Sequence, residues 1–114
     1  MSHVTAVVLI CSGLEEDSLG VPPPPIAALQ AWLRREDLGQ LISVDQVFGG
    51  WKDPQIMCLG GGFNHMDLEA FMALFQEQDW RQPEQAVLIL TTEDQPSIVR
   101  RPPVRHAEPS SSGA

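Results

Sequence analysis

The sequence predicts an α+β domain of the ferredoxin-like split βαβ type (βαββαβ), an antiparallel sheet with two helices on one face. Three observations predict it. Two uniformly apolar runs, 3–11 and 85–92, stand near the ends of the folded region. Two stretches with helical apolar spacing, 26–37 and 65–79, lie inside them, and a glycine-rich pair of shorter runs lies between the helices. Right-handed crossovers applied to this order bring the strands into one sheet. The same elements also allow a mixed sheet with consecutive strands paired.

Residues 3–11 (His3-Val4-Thr5-Ala6-Val7-Val8-Leu9-Ile10-Cys11) are β-branched and apolar almost throughout and stop at Ser12-Gly13. Such a run reads as a central strand buried on both faces. An acidic loop with Glu15, Glu16 and Asp17 follows, ending in Pro22-Pro23-Pro24-Pro25. A polyproline II segment of this kind is a rigid entry to a helix, because proline is tolerated in the first turn. Ile26, Leu29, Trp32 and Leu33 then form a one-sided stripe, with Leu38-Gly39 as a stop signal.

Residues 41–48 and 55–59 mix β-branched and polar positions, and the connection Gly49-Gly50-Trp51-Lys52-Asp53-Pro54 joins them as a hairpin with a protruding tip. Their polarity suits strands near an edge. Gly60-Gly61-Gly62 reads as a strand-to-helix corner. Asn64 is the expected N-cap of the second helix, with Asp67 as its capping-box partner and Leu68, Phe71, Met72 and Phe75 as its buried stripe. Trp80-Arg81-Gln82-Pro83-Glu84 breaks that helix, and Trp80 is expected to close it against the sheet. The strand 85–92 pairs with 3–11 in the middle of the sheet, and a turn at 93–96 can return a fifth edge strand, 97–100. Residues 1–100 make one domain; 101–114, rich in proline and serine, are expected to be a disordered tail.

Charge narrows the partners. The chain of 114 residues carries a net charge of −8. Residues 1–99 hold four cations against fourteen acids, a balance of −10, and residues 100–114 hold three arginines against Glu108. An acidic domain of this size does not displace counterions from nucleic acid or from an anionic membrane. It does suit a basic protein partner. Cys11 and Cys58 sit inside apolar runs and read as buried thiols, with a disulfide open to them if their strands are neighbours. The apolar stretch after Met1 is short and has no basic leader, and no run is long enough to cross a bilayer, so a cytoplasmic location is expected.

No catalytic signature stands out. The glycine run lacks the Lys-Ser or Lys-Thr pair of a phosphate loop and the spacing of a dinucleotide fold, and Asp67 and Glu69 beside it repel an anion. Metal-ligand spacing is absent and no cofactor is expected. His65, near Asp67 in sequence, is the one acid-base candidate. The ferredoxin-like plan hosts many unrelated functions and points to none.

The leading expectation is therefore a small acidic protein-binding module, of an immunity, inhibitor or accessory kind, acting through the hairpin. Trp51 in a polar loop beside Asp53 is the anchor, and Lys52, Phe63 and His65 complete the expected partner-binding set. The alternative is a small-molecule-binding or enzymatic domain using His65, dimeric so that the open sheet face is covered.

Overall fold

Val4–Ser12 forms strand β1, and its burial alternates: Thr5, Val7, Leu9 and Cys11 are buried, whereas Val4, Ala6 and Val8 are exposed. The computed structural model describes residues 4–16, 21–44 and 56–103. Among the described residues both helices pack on the Val7–Leu9 side of β1, in one core with Ile26, Leu29, Leu33, Phe71 and Phe75. The expected burial of this strand on both faces is corrected accordingly. Its apolar run is real, and one of its faces is uncovered.

A short 3-10 turn at Gly13–Glu15 follows β1. Helix α1 spans Pro24–Arg35, two residues earlier than the apolar stripe predicts, because two prolines occupy its first positions, where a missing N–H costs nothing. The helix ends at Asp37, a left-handed residue with φ 57°. The Asp37 N–H donates to the Arg34 carbonyl at 3.1 Å and the Leu38 N–H to the Leu33 carbonyl at 2.9 Å, the two bonds of a Schellman motif. The stop signal is thus Asp37 rather than Leu38-Gly39.

The Gln30 side chain fastens the return. Its amide donates to the Leu41 carbonyl and accepts from the Leu41 N–H, both at 2.9 Å, directly ahead of strand β2, Ile42–Ser43. Of the strand expected over 41–48, residues beyond Val44 lie outside the described residues, as does the hairpin tip.

Strand β3 runs from Ile56 to Asn64 and absorbs all three glycines, which pair with Ala6, Val7 and Val8 of β1. The glycine run is therefore not a corner. The reason is space: a Cβ on Gly61 would sit 2.7 Å from Cζ of Phe63, two residues along the same strand, and one on Gly60 would meet the Val7 carbonyl at 3.4 Å. With the strand prolonged, α2 begins later, at Leu68–Glu77, and its N-cap is Asp67, whose carboxylate accepts from the Ala70 N–H at 3.1 Å. Asn64, the expected cap, is the last residue of β3.

After α2, Trp80 folds back, its indole N–H donating to the Phe75 carbonyl at 2.9 Å, and is buried as expected. A 3-10 turn at Pro83–Gln85 leads into β4, Val87–Thr92, and a turn returns the chain as β5, Ile98–Arg100. The sheet has five strands in the order β2-β3-β1-β4-β5, and every neighbouring pair is antiparallel. The architecture is α+β, an antiparallel sheet with two helices. β3 lies inside the sheet beside β1, so of the two hairpin strands β2 alone is at an edge. Trp32 of α1 meets Phe71 of α2 with ring centroids 5.4 Å apart, closing the helical layer. Arg101–Pro103, read from sequence as the start of the tail, run past α2: Pro102 is buried and the Gln76 side-chain amide donates to the Arg101 carbonyl at 3.2 Å.

Candidate functional site: an apolar sheet face

Residues directly opposite each other in antiparallel strands share a face. The registers align Ile42, Gly60, Val8, Ile89 and Val99 in a single row across all five strands, on the side away from the helices. Ile42 is 60% exposed, Val99 51% and Val8 37%; Ile89 is half-buried between its neighbours. One row along lie Gly62, Ala6 and Thr91, and on the other side Cys58, Ile10 and Val87; there the face closes, since Cys58 and, beyond it, Ser12 are buried. None of these positions carries a charge, in a chain whose net charge is −8.

The rows are not level. Gly60 and Gly62 present no side chain, so β3 forms a lane between Ile42 and β1, floored by backbone. Val8, Ile89 and Val99 continue the Gly60 row across β1, β4 and β5 as a ridge at right angles to this lane. At one end Asn64 lies opposite Val4, and Thr91 and Ser97 share a hydroxyl hydrogen bond of 2.8 Å. Polar groups thus bound the face there.

The residues expected from sequence to bind a partner do not gather here. Trp51, Lys52 and Asp53 lie outside the described residues. Phe63 is 4% exposed and belongs to the core, its ring packed over Gly61 and within reach of Gly39, because residue 63 points to the helix side of β3. His65 is exposed and left-handed, with φ 57°, in the link between β3 and Asp67. The structure therefore separates Phe63 from His65, one inside and one on the surface. Two clefts lie near the C-terminal end of α2, one of about 150 Å³ bounded by Asp79, Trp80, Arg81 and Pro102, the other by Gln76, Glu77 and Arg101; His65 lines neither.

Cys11 and Cys58 are on neighbouring strands, yet Cys58 is opposite Ile10, so the two thiols point to opposite faces and no disulfide joins them. Among the described residues no group of three or more His, Cys, Asp and Glu side chains is placed to hold a metal ion, and no helix is long and apolar enough to cross a membrane.

Sequence reasoning missed Ile42, Ile89 and Val99 as surface residues. The signal that could have found them is the β1 run itself: apolar side chains on both faces of a strand, in a chain with two helices, call for a second covering layer. No family model, curated protein or solved structure matches this chain.

Proposed function

We propose that this chain is a small protein-binding module whose working surface is the apolar sheet face. The observation that carries the reading is the row Ile42–Gly60–Val8–Ile89–Val99, apolar from edge to edge and lacking cover among the described residues. A contiguous exposed apolar patch of this kind marks an interaction site on a soluble domain. The neighbour order β2-β3-β1-β4, with β5 added outside β4, supports reading the domain as a ferredoxin-like split βαβ sheet, a plan that leaves one sheet face open. The acidic charge and the Trp51-Lys52-Asp53 segment, which lies between β2 and β3 in sequence, suit a protein partner; that part of the reading rests on sequence.

Val8→Lys/Val99→Lys tests the reading. Both substitutions fall on the face and place a charged, hydrated group where an apolar contact would have to form. With unchanged circular dichroism and melting temperature, the variant is expected to lose association with any protein that the wild-type chain binds, another copy included. Equal binding by the two forms would overturn the reading.

A further inference from the structure

We infer that the occupant of the apolar sheet face is a second copy of this chain, giving a two-fold dimer with the sheets packed face to face. The inference rests on the reading of that face as the binding surface, and it names the partner.

Three features of the face favour a copy of itself. The first is shape. An isologous interface uses the same patch twice, so every feature must find its complement on the same surface. Here the Val8 side chain of β1 stands directly beside a gap on β3 where Gly60 and Gly62 present no side chain, so a knob and a hole adjoin on one surface. A two-fold operation can seat the Val8 of one copy in the gap of the other.

The second feature is charge. A basic heterologous partner would be met by carboxylates, whereas the rows of this face carry none. Two acidic copies repel everywhere except through a neutral patch, and the neutral patch is here.

The third is area. Strands about 4.8 Å apart with a rise of about 3.4 Å per residue give the whole sheet, nine residues in β1 and β3, six in β4, three in β5 and two in β2, roughly 500 Å² in plan. Ser12 and Cys58 are buried at one end of this face, so its open part is at or below the roughly 600 Å² per partner of small interfaces, the size that goes with weak association. The face suits a weak, reversible dimer, and Val4, Val8, Ile42 and Val99 supply exposed apolar area for it.

The salt dependence of association separates a copy from a basic partner. Screening weakens attraction between opposite charges and relieves repulsion between like ones. Raising ionic strength from about 0.1 M to about 1 M shortens the screening length from about 10 Å to about 3 Å. Self-association of two acidic copies should therefore tighten several-fold, and binding of a basic partner should weaken.

The experiment is sedimentation equilibrium of the purified full chain over a wide concentration range at both salt levels, repeated with Val8→Lys/Val99→Lys. Should that variant lose its fold, Ile42→Lys/Val99→Lys takes its place, since both side chains are more than half exposed. The expected result is a wild-type monomer–dimer equilibrium that tightens with salt and at least a tenfold weaker dimer in the folded variant. A wild-type chain that stays monomeric overturns the inference, and so does a dimer indifferent to the lysines. If the monomeric chain instead binds a different protein, and the lysines abolish that binding, the face keeps its binding role and the second copy is ruled out. If neither self-association nor any other binding responds to the lysines, both readings fall.

Discussion

The ring of Phe63 covers Gly61, two residues earlier on the same strand, so closely that a Cβ at residue 61 would lie 2.7 Å from Cζ and 3.0 Å from Cε2. The ring cannot swing clear, because Phe63 is 4% exposed in a close-packed core. Gly61→Ala is therefore expected to cost about 1–3 kcal/mol, the range for overpacking. Gly62→Ala is the contrast: its Cβ would meet Val4 at 3.9 Å, an ordinary contact, and stability should hold within about 0.5 kcal/mol. Urea denaturation of both checks the pair, and equal losses would show that strand conformation rather than the ring sets the requirement.

Glu15 is 1% exposed and holds two distant backbone groups: its carboxyl oxygens accept from the Arg81 N–H at 3.0 Å and the Gln82 N–H at 2.8 Å. These bonds fasten the turn after β1 to the segment between α2 and β4. Glu15→Ala strips both donors of their acceptor and is expected to cost about 2–4 kcal/mol, since each buried unmet group costs about 1–3. Glu15→Gln should not rescue it fully, because the amide keeps one acceptor oxygen and turns an N–H₂ toward the other donor. Thermal unfolding of the two variants gives the order; a neutral Glu15→Gln would mean that one N–H already satisfies itself elsewhere.

How far the sequence was legible follows from which forces are local. Helix stripes depend on spacing within one segment, and Leu29, Leu33, Phe71 and Phe75 all proved to be core. β1 and β4 announced themselves by composition. The glycine run was misread because turn rules treat glycine as a conformational device, whereas Gly60, Gly61 and Gly62 are in a strand and Gly61 is needed for want of room beside Phe63. No pattern rule encodes an aromatic ring over its own strand. An open sheet face was expected, but the residues that line it were hidden for another reason. Ile42 and Val99 are in short, mixed segments and join Val8 only through pairing registers, which are set by tertiary packing.

Asp37 ends α1 in the left-handed region at φ 57°, a conformation that costs a side-chain-bearing residue about 1–2 kcal/mol and glycine almost nothing. Aspartate tolerates it better than most, so the gain on replacement is smaller. Asp37→Gly is expected to raise stability by about 0.5–1 kcal/mol, and Asp37→Val to lower it by more than that, because β-branching worsens the strain. Both leave the Schellman hydrogen bonds in place. Melting temperatures moving in opposite directions would confirm the cap; a drop for glycine would assign the aspartate side chain a contact worth more than the strain.

Asp67 and Asn64 compete in sequence for the start of α2, and three residues separate the two answers. The Asp67 carboxylate accepts the Ala70 N–H, and its position at the positive end of the helix adds a favourable charge–dipole term. Asp67→Ala is expected to cost about 1 kcal/mol, within the usual range of about 0.5–2 for a lost N-cap, and Asp67→Asn about half that, since the amide oxygen still caps while the charge is gone. Asn64 ends β3 opposite Val4, with its side chain exposed, so Asn64→Ala should change stability by less than about 0.5 kcal/mol. Amide exchange reports the distinction residue by residue: in Asp67→Ala the Ala70 amide should lose protection first, and in Asn64→Ala the first turn of α2 should exchange as in the wild type. Loss of that protection in Asn64→Ala would move the helix start back to residue 64 and shorten β3.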